Sequence, residues 1–197
     1  MSAVNAPYGF ICVKHPSGQS RANEYQITSA YAANIFLGDP VKLVTTGTIE
    51  LATSDGTRTG TVDGIEVLGI FAGCVFTDAT GKPTWSAYWP GGQVATDIKA
   101  YVYDDKENIY SVQADGTVAA VDIGDQADWT GFAAPGGSTA TGRSLGTLSA
   151  TPVGAGAQGQ FVMIEIERST DNAFGDAFTK VLVKVAEHPY AAPFVAV

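Results

Sequence analysis

Residues 65–90 read IEVLGIFAGCVFTDATGKPTWSAYWP and contain the strongest secondary-structure signal in the chain. Their first half is dense in β-branched and aromatic residues, which favour a buried strand. The polar stretch TDATGKP at 77–83 then predicts a tight reversal of the chain. At 85–89, Trp, Ala and Trp alternate with hydroxyl-bearing residues at the two-residue period of a strand. The stretch therefore predicts a long β-hairpin.

Two glycines and one tryptophan sharpen this prediction. Gly69 and Gly73 lie inside the first strand, where glycine is unfavourable unless the strand bends or another backbone approaches closely. We therefore expect a β-bulge or a barrel corner at these positions. Trp89 ends the densest apolar block, and we expect it to be mostly buried.

The rest of the chain predicts short strands separated by turn residues, without a helix longer than a turn or two. Turn residues favour one hairpin between 41–44 and 48–52 and a second between 99–104 and 109–113. Further strands are expected at 118–123, 161–167 and 179–186. This pattern predicts an all-β, single-domain fold, either a β-barrel or a jelly-roll-like sandwich.

Two segments stand apart from this β-domain, which we expect to span residues 25–197. Residues 1–24 predict an extended N-terminal arm with one short strand, which either completes the chain's own sheet or lies on a neighbouring subunit. Residues 124–160 are rich in Gly, Ala, Ser and Thr. That segment either contains an edge strand at 144–150 or is an arm ordered by a neighbour.

The charge content narrows the class of partner. Charged residues make up only 16% of the chain, well below the usual quarter, and the formal net charge is −9. An acidic chain without a basic stripe is a poor binder of nucleic acid. The sequence has neither a signal-peptide pattern at its start nor a long apolar run, so we expect no membrane segment. Low surface charge is also typical of proteins that bury their outer surface against neighbours.

The residue types that carry catalysis are sparse. Cys12 and Cys74 lie in apolar, strand-like contexts and are expected to be buried free thiols rather than a disulfide. His15 and His188 are far apart in sequence, and we expect them to be loop or edge residues rather than parts of a Ser-His-Asp site. The stretch GSTATGRS at 137–144 lacks the lysine of a phosphate-binding loop. We therefore predict no catalytic residues, no cofactor and no metal site.

Several blocks resemble virion proteins of tailed bacteriophages. They are ITSAYAANIFLGDPVKL at 27–43, GIFAGC at 69–74, GKP at 81–83, YWP at 88–90, AYVYDD at 100–105, VQADG at 112–116 and DAFT at 176–179. Together these blocks are similar to capsid cement, or head decoration, proteins over most of residues 25–190. The segment 124–160 is the least similar part.

This resemblance implies a non-enzymatic protein that binds the outer surface of the capsid and ties adjacent capsomers together. Its partner would be the major capsid protein, and it would be made in the host bacterial cytoplasm. We expect a homo-oligomer, a trimer in preference to a dimer. The alternative is a tail-associated carbohydrate-binding (lectin-like) or hydrolase domain. Candidate interface residues are Tyr8, Phe10, Tyr25, Tyr31, Trp129 and Phe132.

Overall fold

The structure is a computed structural model, and it describes residues 4–53, 66–131, 136–154 and 157–190. These residues form short strands and one 3-10 helix, Ala120–Asp122, so the predicted all-β class is confirmed. In chain order the strands are β1 (Ile11–Lys14), β2 (Asn23–Tyr25), β3 (Ile35–Phe36), β4 (Pro40–Leu43), β5 (Ile49–Leu51), β6 (Gly69–Thr77), β7 (Pro83–Ser86), β8 (Tyr88–Trp89), β9 (Lys99–Tyr103), β10 (Ile109–Gln113), β11 (Gln126–Ala127), β12 (Trp129–Thr130), β13 (Gly137–Ser138), β14 (Arg143–Ser144), β15 (Thr147–Leu148), β16 (Phe161–Ile166) and β17 (Lys180–Val185).

Two main antiparallel sheets form the architecture. The first, called sheet A, has the strand order β1-β10-β17-β16-β11. The second, called sheet B, has the order β2-β9-β6-β4-β5, with β7 paired to β6. Three two-stranded ribbons, β3-β8, β12-β15 and β13-β14, complete the described pairings. Two separate sheets with distinct edge strands make a sandwich rather than a closed barrel.

Strand β6 lies at the centre of the molecule because it contributes to both hydrophobic cores. The inner core lies between the two sheets and contains Ile70 together with Tyr110, Phe161 and Val183. The outer core lies on the other side of sheet B and contains Phe71. Consecutive side chains of a strand point to opposite faces, so Ile70 and Phe71 enter different cores.

A β-bulge explains how β6 keeps its apolar side chains in the outer core. Phe71 pairs with Val102 and Cys74 with Ala100, so three steps along β6 correspond to two along β9. The extra residue places Phe71 and Cys74 on one face, although strict alternation would separate them. Gly73 has a φ of 109°, which favours glycine. The bulge predicted in this strand is therefore present.

The other glycine of β6 allows close packing. A Cβ atom at Gly69 would lie 2.1 Å from the backbone oxygen of Tyr103, so no larger residue fits without moving β9. The predicted hairpin is formed by β6 and β7, which pair from Cys74 with Ser86 to Thr77 with Pro83. Its second arm is shorter than predicted, because Trp89 lies in β8 and pairs with Ile35 of β3 instead. Trp89 is fully buried in the outer core, as predicted.

Both cysteines are free thiols in the structure, as expected from the sequence. Cys74 is buried in the outer core, whereas Cys12 is only half-buried. The small hairpin predicted near residue 47 is also present, formed by β4 and β5.

The hairpin predicted between 99–104 and 109–113 is wrong. Strands β9 and β10 occur there, but β9 pairs with β2 and β6 in sheet B, whereas β10 pairs with β1 and β17 in sheet A. The intervening turn carries the chain from one sheet to the other. The strand predicted at 118–123 is also wrong, because residues 120–122 form the 3-10 helix.

The described part of the predicted N-terminal arm packs against the chain's own domain. Strand β1 pairs with β10, and Phe10 stacks on Phe161 in the inner core with ring centroids 4.5 Å apart. Further upstream, Ala6 N–H donates to the side-chain oxygen of Gln113 at 3.0 Å. The sequence left two possibilities open for the arm. The structure shows residues 4–24 completing the chain's own sheet.

The Gly-rich segment 124–160 is also held by its own domain where the structure describes it. Strand β12 pairs with β15, and both Trp129 and Leu148 are fully buried in the inner core. Strand β14 pairs with β13. The predicted edge strand at 144–150 is therefore replaced by two short pieces.

Candidate functional site

A polar cleft forms where two connections between the sheets run side by side. The first connection, residues 15–22, leads from β1 in sheet A to β2 in sheet B. The second, residues 104–108, leads from β9 in sheet B to β10 in sheet A. Because β1 pairs with β10 and β2 with β9, the two connections must cross between the sheets at the same place. Residues 188–190, which follow β17, close one side of the cleft.

The cleft has a volume of about 480 Å³ and is open to solvent. It is lined by ten residues, all with polar or ionisable side chains: His15, Ser17, Gln19, Arg21, Asn23, Asp104, Asp105, Lys106, His188 and Tyr190. Both histidines of the chain are among them. Both histidines lie in loops, as expected from the sequence, but the sequence gave no sign that they would line the same cleft.

His188 fixes the back of the cleft. It is 2% exposed, and its Nδ1 accepts a hydrogen bond from the Tyr190 backbone N–H at 3.1 Å. The proton of the neutral ring therefore lies on Nε2, which donates to the Asp104 backbone oxygen at 2.7 Å. Burial lowers the pKa of His188 below its ordinary value, because the charged ring would lose hydration. A neutral His188 thus connects residues 104 and 190.

The Asp104 carboxylate is held by two neighbours. Asn23 Nδ2 donates to Oδ1 at 2.8 Å, and the Tyr25 hydroxyl donates to Oδ2 at 2.5 Å. The pKa of Tyr25 is raised, chiefly by burial and next by its hydrogen bond to this carboxylate. Asp104 is therefore a fixed structural element of the cleft wall rather than a solvated turn carboxylate.

His15, Ser17 and Asp105 bring together the residue types of a hydrolase triad. Ser17 Oγ lies 2.6 Å from His15 Nδ1, and His15 Nε2 lies 3.2 Å from Asp105 Oδ2. The second contact is not aligned, since His15 Nε2 makes no hydrogen bond. A working triad needs that bond, because the carboxylate orients the imidazole.

The surrounding bonds are those of a tight turn. The Ser17 backbone N–H donates to His15 Nδ1 at 3.1 Å, and the neighbouring Gly18 N–H donates to the His15 backbone oxygen at 2.9 Å. That Gly18 donor is therefore not available to an oxyanion. Asp105 accepts from Glu107 N–H, and this bond, followed by the nearby His15, lowers the pKa of Asp105. The arrangement supports turn formation better than nucleophilic catalysis.

A second surface feature, called here the aliphatic groove, lies on the outward face of sheet A. It is about 210 Å³ in volume and is lined by Tyr8, Ile11, Val13, Ser111, Glu167 and Lys180. Ile11 pairs with Ser111, which pairs in turn with Leu182, so these side chains share the face opposite the inner core. Ile11 is 40% exposed and Val13 51% exposed. Such side chains on an edge strand are typical of a contact surface.

The six candidate interface residues separate into three groups. Phe10 and Trp129 are buried in the inner core, which corrects their assignment, because a side chain enclosed by its own domain offers no contact surface. Tyr8, Tyr25 and Tyr31 are half-buried, and only Tyr8 lines the aliphatic groove. Phe132 lies outside the described residues.

Compared with known proteins, the chain matches no protein-family model, no curated protein and no solved structure. Among the described residues, no group of three or more His, Cys, Asp or Glu side chains is arranged to hold a metal ion. In the same part of the chain, no helix is long and apolar enough to cross a membrane.

Proposed function

We propose that this chain is a non-enzymatic virion structural protein that binds the outer surface of a bacteriophage capsid and cements adjacent capsomers. The observation that carries the proposal is the aliphatic groove, where Ile11 and Val13 stand exposed on an edge strand. Among the described strands, none pairs with the outer side of β1. An unpaired edge beside apolar side chains is suited to docking on another protein.

The composition and the sequence resemblance support the same proposal. The domain carries few charges, as expected for a surface that becomes buried against neighbours. The proposed partner is the major capsid protein, and the proposed location is the outside of the head. Each bound subunit would add its binding free energy to the assembled shell, and repetition over the lattice would multiply the effect.

Binding to isolated phage heads that lack this protein tests the proposal. Sedimentation should show the protein bound to heads, and bound heads should withstand heat or chelator better than bare ones. Replacing both Ile11 and Val13 by lysine should weaken binding at least about tenfold, because two charges would enter a desolvated contact. Replacing Val94 and Val121 by lysine is the matched control, since both are exposed outside the groove.

Three outcomes would contradict the proposal. The first is no binding to heads, and the second is binding without protection. The third is cleavage of a polysaccharide or peptide by the pure protein, which would favour a tail-associated hydrolase.

We further propose that the subunit is a homo-oligomer, with a trimer preferred because capsid lattices offer three-fold positions. Light scattering at micromolar concentration should give a multiple of the 20.4 kDa chain mass. Deleting residues 1–24 is unsuitable for this test, because it removes Phe10 from the inner core. A monomeric native chain would contradict the proposal.

A further inference from the structure

The polar cleft has features that a ligand site needs and that capsid attachment does not use. It shares no lining residue with the aliphatic groove, so the two surfaces can be tested separately. Its volume of about 480 Å³ falls in the range of small-molecule sites. The side chains of its walls determine which ligand chemistry it can bind.

The charges in the cleft are balanced. Arg21 and Lys106 contribute two positive charges, and Asp104 and Asp105 contribute two negative ones. This balance gives no net attraction for either an anion or a cation. It offers charged hydrogen-bond donors and acceptors side by side, which a neutral ligand with many hydroxyl groups can use simultaneously.

Neutral groups extend the same pattern. Ser17 and Gln19 of the first connection and Asn23 at the start of β2 line one wall, and each of these side chains can both donate and accept. Tyr190 lies at the rim and is 58% exposed. An exposed aromatic ring beside mixed donors and acceptors suits a sugar, because a pyranose has an apolar C–H face and a polar edge.

The ring of Tyr190 is held in position before any ligand arrives. Its backbone N–H is bonded to His188 Nδ1, and the two rings pack with centroids 5.4 Å apart. His188 is in turn bonded to the Asp104 backbone oxygen. A site whose aromatic rim and polar wall are already connected loses little conformational entropy on binding.

From these observations we propose that the cleft binds a neutral saccharide, with the sugar stacked on Tyr190 and hydrogen-bonded to Gln19, Asn23 and Asp105. This activity is independent of the proposed capsid attachment. Where the chain is attached to a capsid as proposed above, the cleft would also allow the particle to adhere to a glycan-coated surface.

An NMR titration of the ¹⁵N-labelled protein tests the proposal. The probes are maltohexaose, cellohexaose, hexa-N-acetylchitohexaose and dextran, each raised to about 10 mM in sugar so that weak binding is seen. At least one saccharide should shift the amide signals of residues 15–23, 104–106 and 188–190. Tyr190→Ala should weaken that binding at least about tenfold, whereas Tyr190→Phe should retain it.

Trp85→Ala is the matched control, because Trp85 is 63% exposed but lies on β7, outside the cleft. It should leave saccharide binding unchanged. The proposal is overturned if no saccharide binds, if binding survives Tyr190→Ala, or if Trp85→Ala weakens binding as much as Tyr190→Ala does. It is equally overturned if inorganic phosphate shifts the cleft signals while every saccharide fails to do so, which would indicate an anion site.

Discussion

The β6–β7 hairpin and the polar cleft are assembled in opposite ways. The hairpin comes from one continuous stretch, and its bulged strand fills two apolar cores. The cleft comes from three segments that are far apart in sequence, and every side chain lining it is polar or ionisable. The hairpin is therefore specified by a local pattern, whereas the candidate ligand site exists only once both sheets have formed.

Truncation of Trp89 should give the largest effect on the hairpin side of this comparison. Trp89 is fully buried, packs edge-on against Phe76 and donates its indole N–H to the Tyr31 backbone oxygen at 3.3 Å. Trp89→Ala should lower the free energy of unfolding by about 3–5 kcal/mol, measured by urea titration. Trp85→Ala, in the preceding strand β7 but exposed, should change it by less than about 1 kcal/mol. Equal effects would contradict this distinction.

Asp39 lies buried beside the hairpin, and it should make stability fall as pH rises. Its Oδ2 accepts from Phe36 N–H at 2.7 Å, but burial dominates and raises the pKa of Asp39 from 3.8 to about 7. Because the protonated form is favoured in the folded state, the stability that Asp39 contributes is fully present below about pH 4, near the pKa of the unfolded chain. This stability is lost as pH rises towards 7, the pKa in the folded state.

Replacing Asp39 by asparagine, which stays neutral, isolates this effect. Urea titrations should show Asp39→Asn to be more stable than the native chain at pH 8, with the difference shrinking towards pH 4. A constant difference across that range would show that the carboxyl is ionised in the folded protein throughout.

Gly69→Ala should disturb the close approach between β6 and β9. Its new methyl group would meet the Tyr103 backbone oxygen, and backbone cannot rotate away as a side chain can. We expect a loss of about 1–3 kcal/mol or more in the free energy of unfolding, measured by urea titration. Gly154→Ala is the matched control, because a Cβ there meets no atom within 4 Å. A harmless Gly69→Ala would mean that the two strands are farther apart.

In the cleft, His188 should have the smallest effect on stability. Its pH dependence should be opposite to that of Asp39, with stability lost as pH falls. Burial lowers the pKa of His188, so the neutral ring is favoured in the folded state. The stability that this preference contributes is fully present above pH 6.5, the ordinary pKa of histidine in the unfolded chain. It is lost as pH falls below that value. The melting temperature of His188→Gln should not show this fall in stability below pH 6.5, whereas that of His15→Gln should still show it. A retained loss in His188→Gln would assign the effect to another group.

The hairpin was largely predictable from the sequence, whereas the cleft was not. The hairpin, its bulge and the burial of Trp89 depend on alternation and on glycines that lie within a few residues of each other. The turn at 104–108 was also visible, but turn residues cannot show whether the next strand stays in the same sheet. That is why β9 and β10 were expected to pair with each other.

The cleft could not be predicted for a related reason. His15 and His188 are brought together by the pairing of β10 with both β1 and β17, the strands that precede the two histidines, and the sequence around each histidine contains no trace of these pairings. Similarly, the apolar residues Phe10 and Trp129 were recognised as contact-forming, but hydrophobicity alone cannot distinguish a core from an interface.

Strand β6 also determines how the protein should open. Since neighbouring side chains Ile70 and Phe71 lie in different cores, displacing this strand opens both cores at once. The two halves should therefore unfold as one cooperative unit. In hydrogen exchange, the paired amides of β6 should be among the slowest and should share one opening free energy with those of β17, although the two strands belong to different sheets.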